Sequence, residues 1–206
     1  MKLVKNRKFA QRGNLLMQSA VALLIGALSV AGVIYFLGYI QSAKINSAVE
    51  QIQGLYIATI HENASDTKSK DVNSFIASNG NNFSPNDFDS VSGNFSFATG
   101  DTVNILCINN SPVDCSSIQF GSMSAPTDSF ASVLTRATAA GYIDTSYCTP
   151  ENCPTTGTSP LIGLVAPITF KLNSAKDGYQ VIDGAGTVKN IGNYQIWITG
   201  QGKNNQ

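Results

Sequence analysis

Between Arg12 and Lys44 the chain carries no charged residue, and most of that interval is apolar. A helix crosses a bilayer core with about 20 apolar residues. The interval exceeds that length, and it is too long for the roughly 7–15-residue core of a cleavable secretory signal. No small-x-small site closes it, and no cysteine follows directly to take a lipid. Lys2, Lys5, Arg7, Lys8 and Arg12 precede it with no acid among them. Such asymmetry places the N-terminus in the cytoplasm and everything after about Gln41 outside.

The helical pattern does not stop at the membrane edge. Ile45, Val49, Ile52, Tyr56 and Ile60 recur at spacings of four and three, with Ala48 and Leu55 beside them. Lys44, Asn46, Glu50 and Gln53 occupy the other face. That periodicity predicts a helix with one covered stripe. No proline interrupts residues 14–62. A continuous helix of that length runs about 70 Å at ~1.5 Å per residue. The hydrocarbon core is only about 30 Å thick. Residues 14–40 therefore suit lipid, and the remainder of the helix packs on an exported domain.

The 206 residues hold 13 basic and 13 acidic side chains. Setting aside the five basic residues before Gly13 leaves eight against thirteen acids, a net charge of −5. The basic cluster is a flank of the span, so the composition gives no footprint for nucleic acid. Residues 63–206 are enough chain for one globular domain with its own core.

Cys107, Cys115, Cys148 and Cys153 all fall in the exported part, where disulfides persist. Four cysteines allow three pairings. The turn formers in "INNSPVD" and "TPEN" favour the local pairs Cys107–Cys115 and Cys148–Cys153. A metal site is disfavoured: neither spacing is C-x-x-C, and the single histidine, His61, is remote.

Beyond the long helix, "ENASDTKSK" reads as loop. "DVNSFIASNG" reads as a short helix capped by Asp71, and "NNFSPNDFDSVSG" as turns. "NFSFATGDTVNILCIN" predicts a hairpin turning at Gly100–Asp101. Thr127 to Ala140 predicts a helix capped by Thr127, with Phe130, Val133, Leu134 and Ala137 on one side and Gly141 as its stop. "SPLIGLVAPITFKL", "GYQVIDG" and "NYQIWITG" predict three C-terminal strands, separated by "NSAKDG" and "GAGTVKNIG". Ile196, Trp197 and Ile198 are expected to mix core and surface positions.

Nothing in this pattern assembles a catalytic set or a cofactor site. There is no G-x-S-x-G, G-x-x-x-x-G-K or H-E-x-x-H. His61 reads as a helix-terminal residue, where a cation is mildly favoured. Asp87 and Asp89 read as turn formers. The glycines of "DGAGTVKNIG" lack the strand and helix of a phosphate loop.

The stretch "RGNLLMQSAVALLIGALSVAGV" resembles the N-terminus of a type IV prepilin: a short basic leader ending in glycine, then a segment that is both membrane anchor and filament core. It is most similar to type IVb pilins of the bundlin group. There a Glu-Ser-Ala triplet stands where Gln18-Ser19-Ala20 stands here, and an Ala-Gly-Val matches Ala31-Gly32-Val33. "QSAK" and "IQGLYIAT" are also similar. The resemblance covers roughly Arg12 to Thr59; beyond that it rests on architecture and cysteines.

The resemblance implies cleavage by a prepilin peptidase between Gly13 and Asn14, N-methylation of Asn14, and extraction from the inner membrane by an assembly ATPase and platform protein. Asn14 departs from the bulky apolar residue usual at that position. Gln18, fifth from Asn14, departs from the glutamate that in most pilins attracts the amino group of the adjoining subunit. A buried charge is costly unless paired, whereas glutamine is cheaper to bury but cannot neutralise an ammonium. The small residues Ala20, Ala22, Gly26, Ala27, Ser29, Ala31 and Gly32 would let neighbouring helices approach closely in a dry bundle.

The expectation is an α+β pilin fold: a leader over residues 1–13, a long helix over 14–62 packed on an antiparallel sheet, and a disulfide-containing head over 63–206. The expected role is that of a minor pilin at initiation or at the tip, partnered by other pilin subunits and supporting adhesion or aggregation, without enzymatic activity or cofactor. The chain would lie in the inner membrane first and in a surface pilus later. The alternatives are a divergent major pilin, a pseudopilin of a type II secretion apparatus, and a signal-anchored periplasmic binding protein.

Overall fold

The computed structural model describes residues 4–84, 86–107, 114–123, 126–143, 164–191 and 196–199, with the side chains of 4–16, 18 and 191 excepted. The predicted Cys148–Cys153 pair lies outside these residues. The chain divides into two compact units, 1–43 and 44–206.

Helix α1 (Val4–Ala64) is the longest element. Over Met17–Tyr39 its described side chains form an exposed, mostly apolar surface. In the second unit, Ile45, Ala48, Ile52, Leu55, Ala58, Thr59 and Glu62 are buried. Val49 and Tyr56 are half-buried, and Ile60 is exposed. The covered stripe is thus rotated from the expected one: it is centred on Ala48, Ile52, Leu55 and Thr59, which leaves Ile60 at the solvent edge. Within the stripe Gln51 clamps the sheet backbone, accepting from Ala98 N at 2.8 Å and donating to Ser96 O at 3.3 Å.

Helix α2 (Val72–Ser78) begins where expected, with Asp71 Oδ1 accepting from Ser74 N at 2.8 Å. A 3-10 turn (Gly80–Asn82) follows. Gly54 of α1 lies under it. A Cβ at Gly54 would stand 2.7 Å from Asn82 O, so only glycine permits this approach.

The larger sheet is antiparallel, in the order β1 (Phe88–Asp89), β2 (Asn94–Ser96), β3 (Thr102–Cys107), β4 (Ser117–Met123) and β8 (Trp197–Thr199). The β2–β3 hairpin forms around Gly100–Asp101 as the sequence predicts, with Ser96 opposite Thr102. Strand β4 was not evident from the sequence, nor was the two-residue β1. Between the Val103–Met123 and Ile105–Phe120 pairs the register slips by one, a bulge with the extra residue on β4. Helix α3 (Asp128–Ala139) carries the predicted cap: Phe130 N donates to Thr127 Oγ1 at 3.1 Å. Its expected face, Phe130, Val133, Leu134 and Ala137, is fully buried. Gly141 ends it at φ 81°, a left-handed conformation that closes the last turn.

The C-terminal expectation needs correction. Strands β5 (Thr169–Leu172), β6 (Tyr179–Ile182) and β7 (Val188–Ile191) form a separate three-stranded antiparallel sheet. The stretch "GAGTVKNIG", read as a separator, contains β7, whose four residues pair with all of β6. Strand β8 leaves that group and pairs with β4 instead. Ile196, Trp197 and Ile198 are all buried, not divided between core and surface.

One core joins α1, α2, α3 and both sheets. Aromatic rings run through it from Phe83 to Phe95, Phe97 and then Phe120 and Phe130, with centroids 4.9–5.9 Å apart. Fully burying such side chains contributes about 1.5–3 kcal/mol each. The sheets are also tied by polar contacts at the start of α3. Thr127 Oγ1 donates to the buried Asp101 carboxylate at 2.9 Å, and the Tyr179 hydroxyl donates to Thr127 O at 3.1 Å. The chain is α+β with a long N-terminal helix packed on antiparallel sheet and a disulfide, an architecture compatible with a pilin-like fold.

Candidate assembly surface

From Met17 to Tyr39 every described side chain of α1 is exposed, including Leu23, Leu24, Leu28, Phe36 and Tyr39. This is the one helix among the described residues long and apolar enough to cross a membrane. Water does not tolerate such a surface on every side of a helix, so its stable setting is lipid or other apolar helices. The polar Ser29 fits either setting because its hydroxyl donates to Ile25 O at 2.8 Å within the helix. A Cβ at Gly26, Gly32 or Gly38 would meet nothing within 4 Å, so no contact inside the chain requires glycine there. Gly13, Asn14 and Gln18 lie on the α1 backbone, and their side chains are outside the described set.

At its other end α1 is locked into the head. The buried Glu62 carboxylate accepts from both Ser69 N and Ser69 Oγ. Lys68 Nζ donates to the carbonyls of Glu62 and Asn63, at 2.6 and 2.8 Å, where a helix C-terminus favours a cation. His61, in the last turn as expected, has Nδ1 3.2 Å from Asn79 Oδ1. That contact ties α1 to the end of α2. The sequence offered no signal for Glu62, a residue type normally solvated, or for its serine partner seven residues on.

The Cys107–Cys115 disulfide is present, as the short turn-rich spacing predicted, with the Cα atoms 4.7 Å apart. It joins the end of β3 to the approach to β4. Cys115 is fully buried and Cys107 half-buried. Cys115 Sγ stands 3.6 Å from Ser69 O and 3.5 Å from Asp71 O. A disulfide sulfur carries no hydrogen, so these are packing contacts, and they bring the sheet to the segment between α1 and α2.

Asp87 and Asp89 act as turn formers. Asp87 Oδ2 accepts from Ser84 N, and Asp89 accepts from Val91 N and Ser92 Oγ. The Ser92 hydroxyl, then the Val91 N–H, hold the Asp89 carboxyl below its usual range. Among the described residues no group of three His, Cys, Asp or Glu side chains is placed to hold a metal ion. No protein-family model, curated protein or solved structure matches the chain.

Proposed function

We propose that the protein is a structural subunit of a type IV pilus, of the IVb bundle-forming kind, and a minor pilin acting at initiation or at the tip. One observation carries the reading: a helix buried in the head over Ile45–Glu62 is apolar and bare over Met17–Tyr39. A segment of this kind is as stable among copies of itself as in lipid, because both settings are dry.

The two sides of the bare segment differ. At about 100° per residue, Met17, Val21, Leu24, Leu28, Tyr35 and Tyr39 form one bulky row. Ser19, Ala22 and Gly26 lie on the opposite side and, with Leu23 and Val30 beside them, line a shallow recess. Unlike faces that fit one another give head-to-tail contacts, and these build open filaments when the rotation does not close.

On this reading a prepilin peptidase cuts between Gly13 and Asn14, Asn14 is methylated, and the platform and ATPase machinery draw the subunit from the inner membrane into the fibre. Gln18 in place of a charge suits a subunit that recruits no copy ahead of it. The test is the intact mass of the chain produced with and without a prepilin peptidase. Loss of Met1–Gly13 only in the presence of the peptidase is the expected result. An unprocessed chain in both samples refutes the pilin reading and leaves a signal-anchored periplasmic domain.

A further inference from the structure

The two sulfurs of the Cys107–Cys115 bridge are in unlike surroundings. Cys107, at the end of β3, is half-buried, whereas Cys115 has no exposed surface. Cys115 Sγ also faces the carbonyl oxygens of Ser69 and Asp71, at 3.6 and 3.5 Å. Both carbonyls are fixed from elsewhere. Ser69 is held through its N–H and hydroxyl by the Glu62 carboxylate, and Asp71 caps α2 through Ser74 N. Two carbonyl oxygens are good acceptors for a thiol hydrogen and poor neighbours for a thiolate. The pocket therefore suits Cys115 both as a half-bridge and as a protonated thiol, and disfavours it as the sulfur that meets an outside reagent. Thiol–disulfide exchange needs a thiolate and access to the sulfur attacked. Of the two, only Cys107 has exposed surface for such an approach.

We propose that the bridge is made and opened through Cys107, with Cys115 as the resolving thiol. In oxidation the Cys107 thiolate attacks one sulfur of an external disulfide. A mixed disulfide forms on Cys107, and the other external sulfur leaves as a thiolate. Cys115 then attacks Cys107 Sγ and passes its proton to the departing external sulfur. The Cys107–Cys115 bond forms, and the second external sulfur leaves as a thiol. Two electrons pass from the protein to the external disulfide, which ends as two thiols. Reduction runs the same steps backwards, with the entering thiol attacking Cys107 Sγ and passing its proton to Cys115 as that sulfur leaves.

The test uses the full chain in detergent, reduced and then alkylated with iodoacetamide under native conditions, with peptide mapping over time. Cys107 is expected to react more than about ten-fold faster than Cys115. Equal rates, or Cys115 reacting first, overturn the proposal. A second arm treats two variants with oxidised glutathione. Cys115→Ser is expected to gain a glutathionyl group on Cys107. Cys107→Ser is expected to leave Cys115 unmodified until urea is added. A Cys115 adduct in the folded Cys107→Ser chain overturns the assignment.

Discussion

Replacing Gly54 by alanine isolates one contact on which the packing of α1 depends. In an open helix interior the change stabilises by about 1 kcal/mol, because glycine has more backbone freedom to lose. Here the new methyl would stand 2.7 Å from Asn82 O and 3.5 Å from Phe83 Cε1. The first neighbour is backbone, so relief requires the turn over Gly80–Asn82 to move. Overpacking of this kind costs about 1–3 kcal/mol. The net effect is a loss of about 1 kcal/mol, against a gain of the same size from propensity alone. For a unit of this size the loss lowers Tm by about 2–4 °C. The matched control is Gly80→Ala, where a Cβ meets nothing within 4 Å; its effect should stay within about 0.5 kcal/mol. Thermal unfolding in detergent, followed by near-ultraviolet circular dichroism, measures both variants. A rise in Tm for Gly54→Ala would refute the close-approach argument and return Gly54 to an ordinary helix position.

Further outcomes follow from other contacts. Thr127→Ala removes a helix cap worth about 1 kcal/mol. It also strands the buried Asp101 carboxylate, for about 1–3 kcal/mol more. Urea unfolding should register the sum, and Thr127→Ser should recover most of it; equal losses in the two variants would count against the hydroxyl. The Asp183 carboxyl is held below its ordinary value of 3.8, chiefly by the Val165 N–H, with the Thr187 and Ala185 N–H groups adding to it. Its folded value is depressed, so its contribution is fully present above that ordinary value and is lost as pH falls through the lowered one. Asp183→Asn should flatten the acid limb of a stability–pH profile, and an unchanged limb would sink the assignment. Gln18→Glu should raise the number of copies per filament if charge at that position recruits the next subunit; an unchanged number would leave a divergent major pilin as the better reading.

Much of this molecule is legible locally. The caps Asp71 and Thr127 each satisfy an N–H three residues on, so their signal lies within one turn of chain. The Cys107–Cys115 pair is separated by eight positions and a run of turn formers, which leaves its ends little choice. Strand β7 was missed because "TVKNI" is short and polar and sits between glycines, and only pairing with Tyr179–Ile182 makes it a strand. The covered stripe of α1 was misplaced by part of a turn. Val49, Ile52, Tyr56 and Ile60 are all apolar, and hydropathy does not rank them by contact. Glu62 was unreadable because its burial depends on Ser69 folding back against it.

What the sequence determined by itself is the long bare helix, its basic flank and the starts of α2 and α3, because charge, hydropathy, capping and the 3.6-residue period are properties of neighbouring residues. What only the tertiary structure decided is the partnering. Strand β8 pairs with β4, about 80 residues earlier, rather than with the nearer β7. Backbone hydrogen bonds carry no label for their partner; the choice falls to whichever pairing buries Ile118, Ile196 and Ile198 in the common core.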